Sequence, residues 1–348
     1  MRVLRGLAAL SLTCALALAQ NSTPVFRENV HLVRVLATVK DASGALVGSM
    51  EKSDFEVRDN GVPQEISVFE RQTEQPLSVA VMIDDSASTA IDLKYETESV
   101  TRFVKALVRS GNPDDSVSLY SFNWEVVQQT GFTRNPATIE KRLRELRNTG
   151  GTAMYDAILL ASRDIEDRQG RKVLIIVTDG GDTVSRASFE RAAEAAQLAD
   201  AVIFPVLVVP ISNNAGRNIG GENALTTLAQ RTGGRVFAPT IGKEMDQAFD
   251  GILRDLRTQY LLGFYPKNVP PTKERFHTLT VTGVGRADSS WQISARSGYY
   301  GEALPAAGAS RGSSEGVSVG APDETVRGKK PAAKSTRPDA SKAGRGTR

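Results

Sequence analysis

Leu77-Ser78-Val79-Ala80-Val81-Met82-Ile83, followed at once by Asp84-Asp85-Ser86-Ala87-Ser88, decides how the rest of the chain reads. A nearly all-apolar strand is what a parallel sheet covered by helices on both faces requires. The polar string that ends it falls at the carboxyl edge of such a sheet, where open α/β folds bind their ligands. Downstream the texture repeats. Val100, Phe103, Val104, Leu107 and Val108 recur at helical spacing, and 117–120 alternates as a strand. A helix begins near Met154, 172–177 and 202–209 are two more buried strands, and 188–198 is a helix between them. A short helix over 225–230 stops at Gly233-Gly234, and Met245, Phe249, Ile252, Leu253 and Leu256 mark one face of a last helix, 243–257. Strands alternating with helices make 76–259 an α/β unit with a doubly wound, mostly parallel sheet.

On either side the pattern is β. From His31 to Phe69, β-branched runs are separated by turn chemistry: Asp41-Ala42-Ser43-Gly44, then Asp59-Asn60-Gly61, whose Asn-Gly pair suits a tight hairpin. A strand over 260–265 follows the last helix, and 276–282 with 291–295 reads as a hairpin. The N-terminal β-unit is thus 20–75 and a second β-segment 260–300.

The chain of 348 residues carries a formal charge of only +3, which argues against a nucleic-acid partner. Most of the excess sits after position 301, where 9 Lys and Arg face 5 Asp and Glu among Ala, Gly, Ser and Pro. This segment, 301–348, lacks the apolar surface to offset its ordering entropy and is expected to be a disordered basic tail, a candidate for weak contact with anionic envelope components. At the other end, Arg2 and Arg5, an apolar run over 6–16 and Ala17-Leu18-Ala19 form an export signal, 1–19, cleaved near Ala19. The expected location is secreted or periplasmic. Cys14, the single cysteine, lies inside that signal, preceded by Thr13 rather than the small residue a lipoprotein would want, so the mature chain has no disulfide.

Two further segments converge on the crevice after Ile83: Gly150-Gly151-Thr152, just before a helix, and Thr178-Asp179-Gly180, just after a strand. Asp84, Ser86, Ser88, Thr152 and Asp179 supply only oxygen, a set suited to Mg²⁺, or to Mn²⁺ or Ca²⁺. These three segments, with Asn112-Pro113-Asp114-Asp115 and Thr232-Gly233-Gly234 in order around them, resemble the von Willebrand factor A domain and its metal-ion-dependent adhesion site. The resemblance covers about 76–259. It implies a Rossmann-like fold in which Ser86 and Ser88 bind the cation directly, Thr152 joins in the ligand-competent state, and Asp84 and Asp179 act mostly through water. It also implies a protein partner whose acidic side chain completes the cation's shell. Ala87 and Thr89 depart from the family, which usually has Gly and often Met at these places, and a positive φ at Ala87 would strain the loop. The flanking strings Ser53-Asp54-Phe55-Glu56-Val57, Gln259-Tyr260-Leu261-Leu262-Gly263-Phe264-Tyr265-Pro266 and Ala295-Arg296-Ser297-Gly298-Tyr299-Tyr300 resemble exported A-domain-related proteins of acidobacteria.

The family's A domain has both termini opposite its metal site. The two β-flanks should therefore meet in one small β-sandwich with the A domain inserted in it, so that a shift of the last helix pulls on the sandwich. An enzyme is not expected, because no third carboxylate, general-base histidine or Gly-x-Ser-x-Gly elbow stands near the site. His31 and His277 read as structural or exposed. Two alternatives stay open: an envelope protein using the fold as a metal-free scaffold, and a Mg²⁺-dependent hydrolase.

Overall fold

The computed structural model describes residues 32–71, 75–91, 93–208, 218–240, 242–270, 275–285 and 291–301. The expected export signal, 1–19, and nearly all of the expected basic tail, 301–348, lie outside them.

The α/β unit is built on β5 (Leu77–Asp84), with β6 (Ser116–Phe122), β7 (Val126–Thr133), β8 (Arg171–Thr178) and β9 (Ala201–Leu207) in the order β7-β6-β5-β8-β9. All pairs are parallel except β6 with β7. Alternate residues of β5 enter two separate cores, which is why the strand is nearly all apolar. Val79, Val81 and Ile83 meet α1 (Leu93–Ser110), α2 (Pro136–Glu145) and α6 (Lys243–Thr258). Ala80 and Met82 meet α3 (Met154–Glu166), α4 (Phe189–Leu198) and α5 (Ile219–Thr232). The chain leaves β5 for β6 on one side and later returns to β8 on the other. The carboxyl end of β5 is therefore the point at which the winding reverses, where open α/β sheets have their crevice.

The flanks form two antiparallel sheets, each drawing strands from both ends of the chain. One has the order β12-β1-β10-β4, from β12 (Gln292–Ala295), β1 (Val33–Lys40), β10 (Tyr260–Phe264) and β4 (Ile66–Arg71). The other has the order β13-β11-β2-β3, from β13 (Gly298–Tyr300), β11 (Phe276–Gly283), β2 (Phe55–Asp59) and β3 (Val62–Gln64). Val35, Ala37, Val57, Leu262, Phe264 and Leu279 are buried in the core the two sheets share. The α/β unit is inserted in this sandwich: β4 precedes it, and α6 runs into β10 with Gln259 alone between them.

At the β2–β3 turn Asn60 (φ 47°) and Gly61 (φ 82°) both take the left-handed angles their sequence foretold. The hairpin expected from 276–282 and 291–295 does not form. β11 pairs with β2 and β13, whereas β12 crosses to pair with β1 in the opposite sheet. β1 has an edge open beside β10, and crossing over lets Val281 and Ile293 pack on the common core from opposite sides. The helix expected over 225–230 is longer, because the Asn218 side chain accepts from Gly221 N and starts α5 a turn and a half earlier. The strands β7 and the helix α2 were not foreseen. Among the described residues no helix is long and apolar enough to cross a membrane.

Candidate metal centre

Three loops meet at the carboxyl edge of the central sheet. Asp84, the last residue of β5, is fully buried. Its Oδ1 accepts from Ser86 N at 3.0 Å, and its Oδ2 accepts from the Thr178 hydroxyl at 2.6 Å. These bonds curl the 84–88 loop and tie it to the end of β8. The Ser86 and Ser88 hydroxyl oxygens are 3.1 Å apart; Ser86 is buried and Ser88 exposed, so the pair runs from the interior to the surface. Thr89 closes the turn by donating to the carbonyls of Asp84 (2.9 Å) and Ser86 (3.1 Å).

The 149–152 loop lies alongside. Thr149 N donates to Asp85 O at 3.0 Å, Thr149 forms a parallel bridge with Ser86, and Asn148 Nδ2 donates to Ser86 O at 2.9 Å. Thr152 is held by the loop after β8: its N–H donates to Thr183 Oγ1 at 2.9 Å and its carbonyl accepts from Thr183 N at 2.9 Å. Asp179 is half-buried and close enough to raise the pKa of Asp84 by charge repulsion. The structure thus gathers the segments that carry all five predicted residues. Asp84, Ser86 and Ser88 share one hydrogen-bonded loop; Asp179 faces that loop electrostatically; Thr152 is positioned through its backbone.

Burial pushes Asp84 up to about 6 against the bonds from Thr178 and Ser86, and burial likewise pushes Asp85 up to about 6. Of the extra carboxylates, Asp85 accepts from Asn123 Nδ2 at 3.0 Å, and Asp182 Oδ1 accepts from Tyr155 N at 3.1 Å in the first turn of α3. Both brace the loops.

Ala87 does not take the positive φ at which its methyl group would strain the loop. Among the described residues the non-glycine positions with positive φ are Asn60, Asp200 and Asn268. The Thr89 bonds close the turn without it. Ala87→Gly should therefore cost up to about 1 kcal/mol through the freer unfolded chain. A rise in melting temperature for that variant would show that strain exists after all.

The sequence reading missed Asn123 and Trp124, at the tip between β6 and β7. Asn123 accepts from Ala153 N through its carbonyl (2.8 Å) while its side chain holds Asp85, so the tip is fastened to both other loops. Trp124 is 63% exposed and its ring lies against Gly150 and Gly151. A Cβ on Gly151 would fall 2.7 Å from the ring, so this glycine is needed for close approach as well as for its φ of 82°. The signal available was an aromatic residue in a turn beside the crevice.

With this geometry in view, residues 79–181 match the family model for the von Willebrand factor type A domain. The α/β unit is a von Willebrand factor type A domain. Solved structures similar to the chain include the vWF domain of the type V pili tip protein Mfa5 from Porphyromonas gingivalis, at 15% identity over 52% of this chain and 95% of that one, TM-score 0.44. Another is the conserved hypothetical protein BatB from Bacteroides thetaiotaomicron, at 20% identity over 52% and 98%, TM-score 0.42. A third is proximal thread matrix protein 1 of the mussel byssus, at 18% identity over 57% and 51%, TM-score 0.46. A search of the curated proteins gives no match.

Proposed function

We propose that the A domain is a cation-dependent protein-binding module, exported from the cytoplasm, in which Asp84, Ser86, Ser88, Thr152 and Asp179 hold Mg²⁺, or Mn²⁺ or Ca²⁺, as a metal-ion-dependent adhesion site. The observation that carries this reading is the Ser86–Ser88 hydroxyl pair, 3.1 Å apart beside a buried carboxylate. Neighbouring ligands of an octahedral cation with bonds of ~2.1 Å lie about 3 Å apart, so the pair already has the spacing of two adjacent ligands. Both oxygens of Asp84 are engaged by protein donors, which suits a carboxylate that balances charge through water rather than by direct contact. Burial is what chiefly raises its pKa, and a bound cation would offset that cost. When bound, the cation supplies an electrophilic position for an acidic side chain of a protein partner.

The chain's own groups do the rest. The exposed Ser88 opens the site to solvent, and the Trp124 ring, against Gly150 and Gly151 of the adjoining loop, adds an exposed apolar surface. Fixed aromatic residues contribute strongly to interfaces because little side-chain freedom is lost on binding. A partner would thus present a carboxylate with an apolar group beside it. The similarity of the flanks to exported A-domain-related proteins, together with the basic, apolar leader, supports action in the envelope or outside the cell.

The test is capture of partners from an envelope extract in Mg²⁺ with elution by chelator. Trp124→Ala should weaken the captured complex about 30-fold, close to 2 kcal/mol, while leaving Mg²⁺ affinity unchanged in calorimetry. Capture that is indifferent to both chelator and Asp84→Asn would favour the metal-free scaffold instead.

A further inference from the structure

A cavity lies at the other end of the A domain, where it meets the sandwich. Its walls include Arg34 of β1 and Arg296 from the sandwich, and Arg171, Gln197 and Asp200 from the A domain. Its free space of about 40 Å³ is room for about three waters, or one group of four or five heavy atoms. Among the described residues three arginines and one aspartate line it: Asp200 Oδ1 accepts from Arg296 Nη1 at 2.7 Å, and Arg171 also feels the charge of Asp115.

The polar atoms left over define what the cavity would take. Arg296 is 9% exposed and its Nε has no hydrogen-bond partner. Arg171, which lines the cavity, is oriented by the buried Gln259, whose Oε1 accepts from its Nη2 at 2.6 Å. Gln197 is fixed the other way round. Its Nε2 donates to the carbonyls of Arg231 (3.1 Å) and Gly298 (3.4 Å), so its Oε1 is a buried acceptor without a donor. Unmet buried polar groups are costly and few in folded proteins, and guanidinium forks match the oxygen spacing of carboxylate and phosphate.

We infer that this junction is an oxyanion site that takes a phosphate group, with Arg34, Arg171 and Arg296 binding its oxygens and Gln197 Oε1 accepting the hydrogen of its P–OH. The orphan acceptor selects phosphate over carboxylate, because an ionised carboxylate carries no hydrogen to donate. Burial pulls Arg171 down to about 9, opposed by Asp115, and a bound anion would favour its charged form further. The strand β8 joins this site to the candidate metal centre: Arg171 begins it and Asp179 follows its last residue, about 26 Å away along the strand. Phosphate would therefore brace the A domain against the sandwich without touching the cation loops.

The experiment is thermal unfolding and calorimetry of the chelator-treated protein with inorganic phosphate, glycerol phosphate or acetate, each matched in ionic strength with chloride. Phosphate should raise the melting temperature and bind at millimolar concentration or below. Arg34→Gln, on the exposed rim, should weaken it about tenfold without unfolding the protein, and Arg296→Lys should do so while keeping the charge. Asp84→Asn should leave phosphate binding intact, which separates this site from the metal reading. Equal binding of glycerol phosphate supports an esterified source, and its exclusion supports free phosphate. The proposal is overturned if acetate binds as well as phosphate, if phosphate acts no more strongly than chloride, or if both arginine variants bind it as the parent does.

Discussion

Asp84→Asn is expected to reduce Mg²⁺ affinity more than 100-fold and, at the same time, to make the metal-free protein more stable at pH 7.5. The first effect follows from removing one of the site's two negative charges. The second follows from the local bonds and the pKa. An asparagine Oδ1 can keep the bond from Ser86 N, and the Thr178 hydroxyl, freed from Asp84 Oδ2, can donate to Gly180 O, already 3.3 Å away. Burial raises Asp84 from 3.8 to about 6 in the fold, so its neutral form is the one the fold favours. Its contribution to stability is present in full below pH ~4 and is lost as pH rises through 6, at a cost of about 3 kcal/mol at pH 7.5. Asn lacks that titration. The stability difference between variant and parent, measured by denaturant unfolding in chelator, should thus be near zero at pH 4 and favour Asn by about 1–3 kcal/mol at pH 7.5. A variant that still binds Mg²⁺, or is less stable than the parent at pH 7.5, contradicts this account of the site.

The second large effect concerns the seam of the sandwich. Asp59, at the end of β2, is fully buried; it accepts from the Tyr299 hydroxyl at 2.6 Å through Oδ2, and its Oδ1 lies 3.0 Å from His277 Nδ1. The Tyr299 ring stacks on His277 with centroids 4.7 Å apart, and burial together with the Asp59 hydrogen bond keeps its phenol firmly protonated. Asp59 comes from the N-terminal flank and the other two from the C-terminal flank. Asp59→Ala would remove the shared acceptor and leave the Tyr299 hydroxyl buried without it, costing about 3–5 kcal/mol. Tyr299→Phe, which deletes one donor and leaves the ring, should cost only about 1 kcal/mol. Unfolding followed by tryptophan fluorescence and by far-ultraviolet circular dichroism would measure both. A loss below 1 kcal/mol for Asp59→Ala would mean that the seam is held elsewhere.

Much of the fold was legible because the parallel sheet imposes a strong constraint. Strands buried on both faces, such as β5 and β8, have few alternatives to apolar sequence, and the helices between them carry one apolar face each. The segment from Val126 to Glu145 escaped because it is peripheral. β7 is an edge strand with no fully buried residue, and α2 buries only Ile139 and Leu143. The path of β12 escaped for a different reason: the turn chemistry of a hairpin and of a crossing between sheets is the same over a few residues, and only the vacant edge of β1 decides. In the candidate site, oxygen-bearing side chains announced themselves as candidate ligands through position after a buried strand. Trp124 did not, since its role rests on contact with glycines some 27 residues later in the chain. The phosphate cavity was illegible for the same reason, its arginines being brought together from 34, 171 and 296.

The way β1 is placed in its sheet has a consequence for how the molecule comes into being. Its two neighbours, β10 and β12, both come from the far end of the chain. A nascent chain lengthening at about 5–20 residues per second takes on the order of 10–40 s to travel from Lys40 to Tyr260, and for that time the first strand has no partner on either edge. The A domain can close around its own contiguous residues while the sandwich waits. Completion of the outer layer thereby reports that translation has passed the last helix, and a chain cut short after Thr258 would expose the apolar face of β1 as an adhesive edge.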